Sequence, residues 1–181
     1  MPMLSSAPVV ASANLVLNYT NTTFGMVGKN EIDNHADTIC SGLNWNQLVG
    51  RILQRDTLSI GYQPKSNKPV AKCATAVYTC PESGRSVLLV ADQVLWFGAD
   101  LHCSLLNPYQ IRSCGHSLCD DPWDPNRELG LDVGEIFILL MASGPTLFLE
   151  TLKFSDWEML NLPLIELTAP CWDPSILIMP V

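Results

Sequence analysis

Residues 70–79 are small or β-branched with little charge, and they run into the turn-forming string "CPESGR" at 80–85. The run that follows, 86–97, is apolar almost throughout. Two such runs across a Pro/Gly turn predict a β-hairpin, and the unbroken apolar second run predicts a strand buried on both faces. Upstream, 26–40 reads as a strand, a polar cluster and a second short strand. Residues 46–54 fit a short helix or a strand, because Val49 and Ile52 suit either period. Pro108, in the middle of 101–115, limits that stretch to a turn or short helix. The string "CDDPWDPNR" at 119–127 is a turn-rich break, and strand-like runs follow at 135–140, 146–151 and 164–168. Ser155 followed by Glu158 is a capping-box start for a helix. The class predicted is mainly β.

Composition narrows the function classes. The chain has 181 residues, 48% of them hydrophobic and 15% charged, enough to bury a sizeable core. A net charge of −8 argues against a general nucleic-acid or anionic-membrane surface, which needs clustered Lys and Arg; only 65–72 is mildly basic. Seven cysteines at irregular spacing do not read as a disulfide scaffold, so the thiols are expected to be reduced and the location cytoplasmic. Residues 1–23 form a small, polar arm with one strand-like piece at 14–18. They carry two glycosylation-type triplets at Asn18 and Asn21, but no basic n-region or clean apolar run of a signal peptide.

The densest chemistry lies in "EIDNHADTICSG" at 31–42. Three readings are open. Asp33 can be one half of an acid-protease dyad, in which two carboxylates share a proton and so supply one base and one acid. A chain with one such carboxylate must dimerise about a two-fold axis to complete the pair. Alternatively Asp33, His35 and Asp37 alternate, so on a strand all three face one side and could open a metal site; the further histidines on offer are His102 and His116. The third reading is a polar turn in which Asp33 and Asn34 satisfy backbone donors.

Residues 33–38, "DNHADT", resemble the Asp-Thr/Ser-Gly-Ala-Asp-Thr motif of retroviral-type (retropepsin-like) aspartic proteases. A second stretch, 94–111, resembles the "VLYVP…NLLSVSQL" segment of copia-type retrotransposon proteases, through Val94, Leu95, Trp96, Phe97 and the pair Leu105 and Leu106. Leu105 follows Asp33 by 72 positions, which leaves room for a flap hairpin and closing strands. The resemblance implies a retropepsin-like half-barrel over 24–115, with 116–181 as a β-rich C-terminal extension of unassigned role. It implies Asp33 as the catalytic carboxylate, supported by Asn34, His35, Ala36, Asp37 and Thr38. A flap around Gly61, Tyr62, Pro64 and Val70 would lie over the substrate. The implied activity is endoproteolysis of the element's own polyprotein by a homodimer, without metal or organic cofactor, nucleic acid or membrane. In that setting the cytoplasmic location would be within a virus-like particle. The motif's glycine position holds His35 and its Thr/Ser position holds Asn34; an inactive dimerisation or scaffold module derived from the same fold is therefore the alternative.

Other constellations are weaker. His102 with Cys103, and Cys114, His116 and Cys119, lack the paired Cys-x-x-Cys spacing of zinc sites, and the cysteines read as small buried hydrophobes. No Gly-rich phosphate loop and no nucleophile elbow is present. Trp45, Trp96, Trp123, Trp157 and Trp172 are spread along the chain as candidates for packing or interface anchoring.

Overall fold

The computed structural model describes residues 27–55, 68–80 and 85–172. The expected hairpin is its backbone: β4 (Lys68–Cys80) pairs antiparallel with β5 (Arg85–Gly98). Odd positions of these strands, Ala71, Cys73, Val77, Val87, Leu89 and Ala91, join the larger core. Even positions, Ala74, Ala76, Leu88 and Val90, join a second cluster with Phe154. Both faces are therefore covered, as the continuous apolar run requires. The ambiguous segment forms β3 (Asn46–Arg55), antiparallel to β4.

β1 (Val27–Ile32) and β2 (Cys40–Gly42) are separated by a third strand, β6 (Ser104–Leu106), which runs parallel to β1 and antiparallel to β2. β2 continues the sheet by pairing parallel with β5. The expected half-barrel is corrected here. β11 (Thr146–Leu152) pairs antiparallel with β1 along Val27–Glu31 and touches β4 at Ala76, which closes a barrel of six strands. The closing strand comes from the stretch expected to lie outside the 24–115 unit, as does β12 (Leu164–Glu166), parallel to β5. β1 requires a second hydrogen-bonding neighbour, and β11 provides it.

The remaining elements cover this barrel. A three-stranded antiparallel sheet of β7 (Ser117–Cys119), β8 (Gly130–Val133) and β9 (Ile136–Leu139) contributes Leu118, Leu131, Val133 and Ile138 to the larger core. β10 (Met141–Ser143) makes a hairpin with β11 through Gly144, whose φ of 60° suits glycine. α1 (Pro108–Ser113) follows β6 directly, and α2 (Asp156–Asn161) starts with the expected capping box of Ser155 and Glu158.

Polar side chains are threaded through the core. Asn30 donates to the Leu149 carbonyl and to Thr151 Oγ1, both at 3.0 Å, while its Oδ1 accepts from Asn44 Nδ2 at 2.9 Å and Trp45 Nε1 at 2.7 Å. Asn44 also donates to Thr151 Oγ1 at 2.8 Å and accepts from Ser104 Oγ at 2.7 Å. Ser104 in turn accepts from the Gly42 amide at 2.9 Å. Thr75 Oγ1 lies 2.7 Å from both Thr151 Oγ1 and the Asn44 carbonyl. This network ties β1, β4, β6 and β11 together, and both side-chain amide protons of Asn30 and of Asn44 have an acceptor.

Candidate functional site

Asp33 is the first residue beyond β1. Because β6 is inserted between β1 and β2, residues 33–39 must arch over the end of β6 to reach the second strand. The Asp33 amide donates to the Leu106 carbonyl at 3.0 Å, so β6 fixes the start of this arch. The Asp33 carboxylate accepts from the His35 amide at 2.9 Å, a local Asx turn. Its side chain keeps 31% of its surface exposed, whereas that of His35 is 92% exposed and directed to solvent. His35 Nδ1 stands 3.6 Å from Asp33 Oδ1. The imidazole at the motif's glycine position therefore does not fill the space beneath the arch.

The rest of the arch is held from below by α1. Asn107 caps that helix, accepting from the amides of Tyr109 at 2.7 Å and Gln110 at 3.0 Å, and its own amide donates to the Ala36 carbonyl. Gln110 is completely buried. Its Oε1 accepts from the Ile39 amide at 2.8 Å and lies 3.0 Å from Thr38 Oγ1, while its Nε2 donates to the Asp92 carbonyl at 3.0 Å. The Thr38 hydroxyl also lies 2.8 Å from the Gln93 carbonyl. Gln93 sits at φ 57°, a left-handed conformation rare for a residue with a β-carbon, where β5 shifts register against β4. From the far side, Trp172 Nε1 donates to the Asp37 carbonyl at 3.0 Å.

Electrostatics at the site centre on Cys40. Burial, then the charges of Asp33 and Asp37, push its thiol up to about 12. Cys40 is thus a neutral thiol beside two carboxylates, with Sγ 3.6 Å from the Thr38 carbonyl.

The segment expected to carry the site is brought together as one turn: Asp33, Asn34, His35, Ala36, Asp37 and Thr38 lie within it. It is a turn rather than a strand, which removes the basis for placing Asp33, His35 and Asp37 on one face as metal ligands. Among the described residues, no group of three or more His, Cys, Asp and Glu side chains could hold a metal ion. The flap expectation divides. β3 and β4 pair antiparallel, while Gly61, Tyr62 and Pro64 lie outside the described residues. Val70 differs from its expected role: it is 4% exposed and packed within β4 opposite Leu53 and Leu95, so it belongs to the barrel wall.

Asn107, Gln110 and Trp172 lie outside the stretch to which the sequence points for this site. Asn107 before Pro108 is a helix N-cap signal that was available, since Pro at the first helical position with Asn before it starts helices. Gln110 and Trp172 carry no comparable local signal. Among the described residues no helix is long and apolar enough to cross a membrane, and the six cysteines 40, 73, 103, 114, 119 and 171 are unpaired. Comparison of the chain with protein-family models, with curated proteins and with solved structures finds no match.

Proposed function

We propose that this chain is an aspartic endopeptidase of the copia-like retrotransposon type, acting as a homodimer on its own polyprotein. The observation that carries the reading is the braced arch. A solvent-reachable Asp33 carboxylate sits at the tip of a strand, on a turn whose backbone is pinned at Asp33, Ala36, Asp37 and Ile39. Acid–base chemistry by a carboxylate pair needs this combination of fixed backbone and open carboxylate. In the dimer, one Asp33 is ionised and takes a proton from water as the water attacks the peptide carbonyl. The other, protonated, donates to the carbonyl oxygen. Collapse of the tetrahedral intermediate then returns a proton to the leaving amine. No metal or organic cofactor takes part in this scheme.

The test is turnover of peptides spanning this chain's own polyprotein junctions, or of a peptide library, between acidic and neutral pH. Cleavage that a statine-type inhibitor blocks and that Asp33→Asn abolishes supports the reading. Dimers of correctly folded protein without turnover overturn it. A second reading, a non-catalytic dimerisation module derived from the same fold, is favoured by a specific observation: the Asp33 carboxylate is engaged by the His35 amide within its own turn. That reading expects the same dimers from Asp33→Asn and from the unmodified chain, and cleavage from neither.

A further inference from the structure

β3 ends its sheet: β4 pairs with one of its edges, and among the described residues no strand pairs with the other. Alternate backbone amides and carbonyls along such an edge lack strand partners. A cleft of about 430 Å³ runs past this edge at Asn46–Leu48. Trp45 and Trp96 line it from the side of the larger core, and Leu48, Phe154 and Met159 from the side of the second cluster. The space therefore passes around the edge from one face of β3 to the other, which is the room an added strand takes.

Chain direction identifies that strand. β5 occupies one edge of β4; along the other, Leu152 of β11 stands opposite Ala76 and Asn46 of β3 opposite Ala74. β11 thus ends where β3 begins, and Asn46 Nδ2 donates to the Phe154 carbonyl across the junction at 3.1 Å. β1 runs antiparallel outside β11, and its first residue, Val27, is paired with Leu152. Continued backward from Val27, the line of β1 runs antiparallel along the open edge of β3. The two-position step from Ala76 to Ala74 would put Gly25 opposite Asn46, then Phe24 opposite Gln47 and Thr23 opposite Leu48.

We propose that the open edge of β3 binds residues 20–25 of this chain's own N-terminal arm as an antiparallel strand, with Phe24 seated against Trp96 in the cleft. Side-chain alternation carries the placing of Phe24. In β1 the even positions face the larger core: Gly28 abuts Asn44, Asn30 is buried, and Ile32 packs on that core. Phe24 has the same parity, so it projects to the side where Trp45 and Trp96 line the cleft. Its neighbours Thr22 and Thr23 are β-branched and suited to a strand. The arm is favoured over a separate partner because Val27 is already fixed beside the junction. Docking then costs the ordering of a few residues, without the translational and rotational freedom that a second molecule gives up. This inference does not depend on the protease reading.

The experiment is nuclear magnetic resonance of the isotopically labelled full chain. The expected result is a set of cross-strand Overhauser contacts joining Gly25 to Asn46 and Phe24 to Gln47, with the Phe24 ring in contact with the Trp96 indole. Phe24→Asp, which would set an unpaired charge in the cleft, should abolish these contacts. It should also speed exchange of the outward-facing amide within 46–48 by about tenfold, while exchange in the β4–β5 pair at Ala74 and Val90 stays as it was. The contacts in the unaltered chain decide the matter even where the variant fails to fold. A mixed sample of labelled and unlabelled chains separates the occupants. Contacts that arise only between molecules place a second copy on the edge and overturn the proposal. Contacts to 46–48 from any other segment, such as 173–181, overturn it as well. So does an edge without contacts whose exchange is the same in Phe24→Asp.

Discussion

Replacing Gln110 by leucine tests whether α1 holds the candidate site. The change nearly conserves volume in a fully buried position, so packing is largely retained while the amide is lost. Two of the three partners have alternatives. The Thr38 hydroxyl still reaches the Gln93 carbonyl at 2.8 Å, and the Asp92 carbonyl still accepts from Thr168 Oγ1 at 2.9 Å. The Ile39 amide does not, since Gln110 Oε1 at 2.8 Å is its acceptor. An orphaned buried amide costs roughly 1–3 kcal/mol, and the lost bond to Asp92 adds about 1 kcal/mol. The net loss should be on the order of 2–3 kcal/mol, or a fall in Tm of roughly 5–10 °C for a chain of this size. Urea unfolding measures the first quantity, and native-state hydrogen exchange at Ile39 locates it. Thr38→Val, which removes only a hydroxyl, should cost about 1 kcal/mol. A Gln110→Leu protein within about 0.5 kcal/mol of the parent, with unchanged exchange at Ile39, would refute the clamp.

Three further predictions concern other parts of the fold. Cys40 has its thiol pushed up to about 12 from an ordinary 9.0, so the stability its neutral form contributes is complete below about pH 9 and is lost as the pH rises toward 12. Cys40→Ala should flatten the fall in stability over that interval, measured by urea midpoints; an unchanged slope would contradict the assignment. A β-carbon at Gly42 would collide with the Leu101 carbonyl, so Gly42→Ala should destabilise by more than about 2 kcal/mol and disturb the β2–β5 register, visible as a lowered Tm. Lys72 binds Asp92 at 3.1 Å and Glu166 at 2.8 Å with 37% of its side chain exposed. Lys72→Met should therefore cost at most about 1 kcal/mol, and less in high salt; a loss that salt leaves unchanged would argue against an ionic origin.

Local pattern carried much of the fold. The β4–β5 hairpin, the short helix after Pro108 and the capping box at Ser155 each follow from neighbouring residues, and each forms where the pattern points. Closure of the barrel does not. β11 reads as a strand, but its pairing with β1, more than a hundred positions away, is settled by which edges remain open after β6 has inserted. The buried polar network was equally hidden. Asn30 lies in "VGKNEI" with charged residues on both sides, and only Trp45, Asn44 and Thr151 converging on it make it internal. At the candidate site the cluster itself was conspicuous because carboxylates and an imidazole are dense there. What holds it was not, because Gln110 and Trp172 act across 71 and 135 positions of chain. The alternation of Asp33, His35 and Asp37 suggested a strand face, and the inserted β6 makes it a turn instead.

The central claim is a carboxylate pair shared between two copies of the chain. Calorimetric titration of the purified protein with a statine-type transition-state analogue tests it most directly, because stoichiometry reports the pairing whatever the cleavage specificity. The account predicts one inhibitor bound per two chains, with binding abolished by Asp33→Asn while the dimer persists. One inhibitor per chain, or binding that survives Asp33→Asn, would contradict it.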